Sequence, residues 1–148
     1  MLEKPEMEFP VVTLLVSGGH SLLVRQTAPG EHEVLGETID DAVGEAYDKV
    51  ARWLGLGYPG GPVIDRMAKS GDATSLELPR SMLGAGLDFS FSGLKTAVVR
   101  STEKRPDLPL ESVAASFQAA VCEQLLRKLR RAVEECSPRG VALAGGVA

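Results

Sequence analysis

The stretch Val11–His20, VVTLLVSGGH, constrains the chain more than any other. Its run of Val and Leu reads as a buried strand. The strand runs directly into Ser17, Gly18 and Gly19. Two successive positions without a Cβ let the backbone fold tightly and turn its N–H groups toward an anion. A second apolar run, Ser21–Gln26, follows at once, so the segment is expected to be a hairpin with a glycine tip. An ordinary Gly-Gly hairpin turn and a phosphate cradle both fit these residues. The choice between them rests on the rest of the chain.

A related pattern stands at the other end. Gly140–Ala144, GVALA, reads as a short buried strand, followed by Gly145 and Gly146. A buried strand is expected to lead into a helix that covers the sheet, yet Ala148 is the last residue. Between the two lie mostly helical patterns. Thr38–Leu54 is expected to be a helix capped by Asp40 or Asp41, with Val43, Ala46, Tyr47, Val50 and Leu54 on its apolar face. Asp41, Gly44, Glu45 and Asp48 fall on another face. A glycine inside a helix costs about 1 kcal/mol against alanine, so Gly44 suggests either a close backbone approach or simply part of a solvated acidic face. Gly60 and Gly61 precede Pro62, which suits the first position of a helix expected over Pro62–Lys69. Free N–H groups and a positive dipole end there make a second candidate anion cradle, with a plain linker as the alternative. Asp65, one turn further on, can accept hydrogen bonds from hydroxyls.

The remaining elements are plainer. Met1–Pro10 reads as an acidic, polar lead-in and not as a signal peptide. Glu33–Leu35 reads as a short third strand, Ser70–Gly86 as a loop and Leu87–Phe91 as a short strand. Ser92 is expected to cap a helix from Gly93 to Thr102, with Lys95 on its first turn; a phosphate contact and a solvated lysine are the two readings. Leu108–Cys136 has the longest helical period, through Leu110, Val113, Ala114, Phe117, Val121, Leu125, Leu129 and Ala132. Its other face carries Arg127, Lys128, Arg130 and Arg131, either a solvated face or an RNA-backbone patch.

Composition narrows the class. With 44% hydrophobic and 24% charged residues, the 148-residue chain is a folded domain and not a disordered one. Only 5% aromatic residues and as many as 16 glycines suit an α/β protein with tight turns. A net charge of −4 excludes a global basic field, so any nucleic-acid contact must be local. Cys122 and Cys136 are separated by about 21 Å of expected helix, beyond disulfide reach, which points to reduced thiols and a cytoplasmic setting. No apolar run reaches the ~20 residues that span a membrane.

Four segments in order, LLVSGGHS (Leu14–Ser21), GETIDDAVGEAYDKVARWLGLGYPGGPVID (Gly36–Asp65), DFSFSGLKT (Asp88–Thr96) and LAGGVA (Leu143–Ala148), closely resemble TsaD. This is the family of bacterial tRNA N6-adenosine threonylcarbamoyltransferases, formerly described as O-sialoglycoprotein endopeptidases or glycoproteases. The likeness covers Phe9–Ala148. It implies an actin-like, ATPase-type fold built on ribonuclease-H-like sheets, of which residues 1–148 would be a partial domain: α/β, with a mixed sheet and flanking helices. It further implies transfer of a threonylcarbamoyl group from threonylcarbamoyl-AMP to N6 of adenosine 37 in tRNAs reading codons that start with A. By resemblance Leu15, Val16, Ser17, Gly18 and Gly19 surround the phosphate and threonylcarbamoyl part of the ligand. Asp48 holds ribose hydroxyls, and Gly61 and Asp65 line the nucleoside pocket. TsaB-like and TsaE-like proteins and tRNA are the implied partners, with TsaC supplying the adenylate.

The sequence also departs from the family pattern. The family binds a divalent metal, iron or zinc, through two histidines in an HxxxH helix and a late aspartate. His20 and His32 match neither histidine. The family asparagine just past AGGV falls beyond Ala148, and the chain is less than half of the family's usual length. An isolated fragment is therefore expected to be inactive, to bind adenine nucleotide weakly and to self-associate over apolar surface left bare. A catalytically inert nucleotide-binding or dimerisation module, and a sugar or acetate kinase of the same superfold, are alternatives. The glycoprotease reading lacks both an HExxH helix and an Asp/His relay for Ser17.

Overall fold

The computed structural model describes residues 8–81, 84 and 86–148. Most of the Met1–Pro10 lead-in and residues 82, 83 and 85 of the Ser70–Gly86 loop lie outside the described residues. Strand β1 (Val11–Val16), β2 (Ser21–Ala28) and β3 (Glu31–Glu37) precede four helices, α1 (Val43–Trp53), α2 (Gly60–Ala68), α3 (Ser92–Lys104) and α4 (Leu110–Cys136), and β4 (Gly140–Ala144) closes the order. The sheet runs β3-β2-β1-β4. β1 pairs antiparallel with β2, from Val11 opposite Gln26 to Val16 opposite Ser21. It pairs parallel with β4, from Val11 opposite Gly140 to Leu15 opposite Ala144. The expected mixed sheet with flanking helices is present.

Alternation explains which strand face is buried. Val12, Leu14 and Val16 of β1 join Leu23 of β2 in one core with Val43, Ala46, Val50, Ile64, Leu94, Phe117 and Val121 of the helices. α4 carries a broad apolar face, and the edge of its Phe117 ring meets Tyr47 of α1 with centroids 5.0 Å apart. β4 departs from the expectation of a buried strand. Val141 and Leu143 pair with buried Val12 and Leu14, yet they are 50% and 64% exposed. The helices that cover β1 do not extend over its parallel neighbour.

Three expectations from local spacing are corrected by long-range contacts. α1 begins at Val43, not at Thr38, and neither Asp40 nor Asp41 caps it. The cap comes from the hairpin: the Val43 N–H donates to the hydroxyl of buried Ser21 at 3.0 Å. Asp41 instead receives Lys49 at 2.6 Å. Asp40 reaches the start of α3, where it accepts from the hydroxyls of Ser90 and Ser92 and the N–H of Phe91. α3 therefore starts at Ser92, which is its first residue and not its cap. Leu87–Phe91 contributes a single bridge, Thr38 to Phe89, in place of a strand. Lys128, placed by its spacing on the basic face of α4, is 2% exposed and donates to the Gly86 carbonyl at 2.9 Å. Burial and the nearby Arg131 charge push its ammonium pKa down.

Two expected results follow. Ser21→Ala leaves a buried N–H without its acceptor, and such a group costs about 1–3 kcal/mol. Denaturant unfolding should show that loss; a change under about 0.5 kcal/mol would mean that water replaces the hydroxyl. The second concerns Asp40. Burial pushes its carboxyl pKa up, but the hydrogen bonds from Ser90, Phe91 and Ser92 outweigh this and hold it below 3.8. A depressed carboxyl stabilises the folded state above its unfolded pKa, and the contribution fades as pH falls through the folded value. Below about pH 4, Asp40→Asn should narrow the stability gap to the wild-type chain that it shows at neutral pH. A gap that stays constant with pH would exclude this carboxylate.

Candidate functional site

Because β1 and β4 are parallel neighbours, their C-terminal ends open on the same edge of the sheet, the edge where open α/β sheets bind ligands. Both strands end in glycine loops there, Ser17–Gly19 after β1 and Gly145–Gly146 after β4. The first loop is closed on itself. The Ser17 N–H donates to the His20 carbonyl at 2.8 Å, and the His20 N–H donates to the Ser17 hydroxyl at 3.0 Å. Gly18 and Gly19 stand exposed at its tip, and a Cβ on either would meet nothing within 4 Å. Among the described residues neither gives its N–H to a protein acceptor. Leu15 and Val16 are the strand residues that feed the loop, Leu15 half-buried and Val16 buried.

The loop rests on the first turn of α1. The Gly44 N–H donates to the Ser17 carbonyl at 3.2 Å, and a Cβ on Gly44 would sit 2.7 Å from the Gly18 Cα. The approach suggested by a glycine on the acidic face of this helix is thus the approach of the Ser17–Gly19 loop. The second loop docks beside the first. Gly145 has φ +104°, and the Val147 N–H donates to the Val16 carbonyl at 3.1 Å.

The start of α2 forms the next wall. The helix begins at Gly60, two residues before the expected Pro62, because Asp48 of α1 accepts the Gly60 N–H at 2.8 Å. Gly61 and Asp65 then line a cavity of about 500 Å³ with Tyr47, Gln118 and Gly146–Ala148. Asp65 lies one turn into α2, as its spacing implies. Gln118 donates to one of its oxygens at 3.2 Å and Lys69 lies 3.1 Å from the other. The Lys69 and Gln118 bonds hold its carboxyl below the usual range. Burial, with the nearby Cys122 and Asp65, pushes the Tyr47 hydroxyl well above its ordinary value, so it remains a donor.

The structure therefore gathers Gly61 and Asp65 at one cavity. It places Leu15 and Val16 at the end of β1 and Ser17–Gly19 in the loop against α1, and gives Asp48 the start of α2 to hold. Gln118 and Cys122 of α4 escaped sequence reasoning because they sit among apolar core positions, and no local signal marks them. Tyr47 was legible only as part of the apolar face of α1. At the start of α3 the Asp40 carboxylate takes the N–H and hydroxyl of Ser92, the groups of that residue a phosphate would use. The basic patch on α4 is reduced by burial of Lys128 and by pairing of Arg127 with Glu123 and Arg131 with Glu135. His20 and His32 are exposed and separate. Among the described residues no group of three or more His, Cys, Asp or Glu side chains could hold a metal ion. The residues present do not fit the family metal. Cys122 and Cys136 are free. No described helix is long and apolar enough to cross a membrane.

The family model described as "TsaD: tRNA N6-adenosine threonylcarbamoyltransferase" matches residues 1–148. A curated relative of that name from Halalkalibacterium halodurans is 55% identical over 148 residues, covering 97% of this chain and 43% of the relative. One from Paracidovorax citrulli is 54% identical, covering 95% and 41%. One from Thermosipho africanus is 50% identical, covering 97% and 44%. The chain spans less than half the length of these relatives.

Proposed function

Because the chain belongs to the TsaD family of tRNA N6-adenosine threonylcarbamoyltransferases, we propose that it forms the adenylate-holding part of such a transferase. The observation that carries this reading is the pairing of two glycine loops at one end of adjacent parallel strands, beside the start of α2. The exposed N–H groups of Gly18 and Gly19 suit the phosphate, with Leu15–Ser17 carrying the loop toward the threonylcarbamoyl end. Gly61 lets the nucleoside approach the helix start. Asp48 and Asp65 offer carboxylate oxygens to ribose hydroxyls; a carboxylate has about four acceptor sites, and Asp48 commits one to Gly60.

In the proposed reaction the N6 amine of the tRNA adenosine attacks the carbamoyl carbon. The new N–C bond forms as the bond from that carbon to the phosphate oxygen breaks. AMP leaves with the electron pair, and the amine proton passes to solvent. This chain contributes positioning: loops and carboxylates that fix the adenylate so that the carbamoyl carbon is presented in one orientation. tRNA is the acceptor, and TsaB-like and TsaE-like proteins are the partners of the assembled enzyme. The test is a chimera. The matching segment of the Halalkalibacterium halodurans relative is replaced by residues 9–148 of this chain, and transfer of labelled threonylcarbamoyl to tRNA is measured. Transfer within about tenfold of the relative is expected. A folded chimera that neither binds the adenylate nor modifies tRNA would overturn the proposal.

A further inference from the structure

The cavity beside α2 contains a hydrogen-bond chain built from three helices. Tyr47 of α1 donates its hydroxyl to Gln118 Oε1 at 3.4 Å, and Gln118 of α4 donates Nε2 to Asp65 Oδ1 of α2 at 3.2 Å. Tyr47 is 7% exposed, held edge-on against Phe117, and lines the cavity. The chain is directional. A carboxylate only accepts, so Asp65 requires the amide nitrogen of Gln118, and the amide oxygen is left to accept from the Tyr47 hydroxyl. Lys69, on the exposed side of α2, pulls on the other Asp65 oxygen at 3.1 Å. Without Gln118, the carboxylate would keep only its pairing with Lys69, an exposed side chain.

Resting on the adenylate reading above, we propose that Gln118 is a positioning residue. Its amide, with the oxygen held by Tyr47 and the nitrogen on Asp65, aims the Asp65 carboxylate at the ribose hydroxyls of the bound nucleotide and so sets the preference for ribose. The Tyr47–Gln118–Asp65 order makes Gln118 the central member: its loss disconnects both neighbours, whereas loss of the Tyr47 hydroxyl releases only the amide oxygen. Phosphate binding by the glycine loops is separate from this chain and is left intact.

The experiment titrates the chain with AMP and with 2′,3′-dideoxyadenosine 5′-monophosphate, with a thermal melt on every variant. The wild-type chain should prefer AMP by about tenfold, the effect of one or two hydrogen bonds to a charged acceptor. In Gln118→Met, which keeps the side-chain length and apolar stem, the preference should fall to about twofold, with dideoxynucleotide affinity unchanged. Tyr47→Phe should fall in between. If Gln118→Met retains the full preference while Asp65→Ala loses it, this inference is wrong and the role of Asp65 stands. If Asp65→Ala also retains the preference, or the wild-type chain shows none, the placement of ribose at Asp65 fails and takes this inference with it. A purely structural Gln118 would weaken both nucleotides equally, which likewise contradicts the proposal.

Discussion

Gly145→Ala should lower stability by about 3 kcal/mol and nucleotide affinity by more than tenfold. The position has φ +104°, a conformation that costs an L-residue about 1–2 kcal/mol. Space is lacking as well. A Cβ there would stand 2.1 Å from the Val16 carbonyl oxygen and 2.6 Å from its carbon. These are backbone atoms of a central strand and cannot give way as a flexible side chain can. Relief by moving the loop breaks the bond from the Val147 N–H to the Val16 carbonyl and carries Gly146–Ala148 away from the cavity they line. Strain of this kind in a packed region typically costs a further 1–3 kcal/mol. Unfolding in denaturant and calorimetric titration with AMP check both parts. Wild-type behaviour in both would mean that the loop after β4 is neither tightly docked nor part of the site.

Gly44→Ala should separate binding from stability. Gly44 is the second residue of α1, where alanine gains at most about 1 kcal/mol over glycine. Here the added Cβ would stand 2.7 Å from the Gly18 Cα and 3.0 Å from the Ser17 carbonyl oxygen. The helix is anchored in the core by Val43, Ala46 and Val50, whereas Gly18 and Gly19 are exposed. The loop therefore moves, not the helix. The expected result is a melting temperature within a few degrees of wild type and nucleotide affinity lower by about tenfold or more, the equivalent of one or two lost hydrogen bonds to phosphate. Unchanged affinity would place the phosphate away from the Ser17–Gly19 loop.

Gly44 also shows what was legible in the sequence. A glycine where helix propensity asks for alanine is a conflict between local and global preference, and such conflicts gather at functional sites. The hairpin, the apolar faces of α1 and α4 and the glycine start of α2 were equally legible, because each is written in adjacent residues. What escaped was written across distance. Ser21 caps α1 from 22 residues upstream. Asp40, read as a cap for the helix it precedes, serves α3 some 50 residues on. Lys128 keeps the helical period of a basic face but turns inward to the Gly86 carbonyl. The family resemblance gives Asp48 a ribose-holding role, while its bond to the Gly60 N–H, at the start of α2, is invisible to spacing. Gln118 stands next to Phe117 in a stretch that reads as core, so only the three-helix contact reveals it.

If the loops after β1 and β4 and the start of α2 form one nucleotide site, the amides of all three respond together when the isotope-labelled chain is titrated with AMP. The largest chemical-shift changes should fall on Gly18, Gly19, Gly61 and Gly146, saturate with a single affinity and vanish from Gly18 and Gly19 in Gly44→Ala. Changes confined to other surfaces, or no changes at millimolar AMP, would contradict a single site.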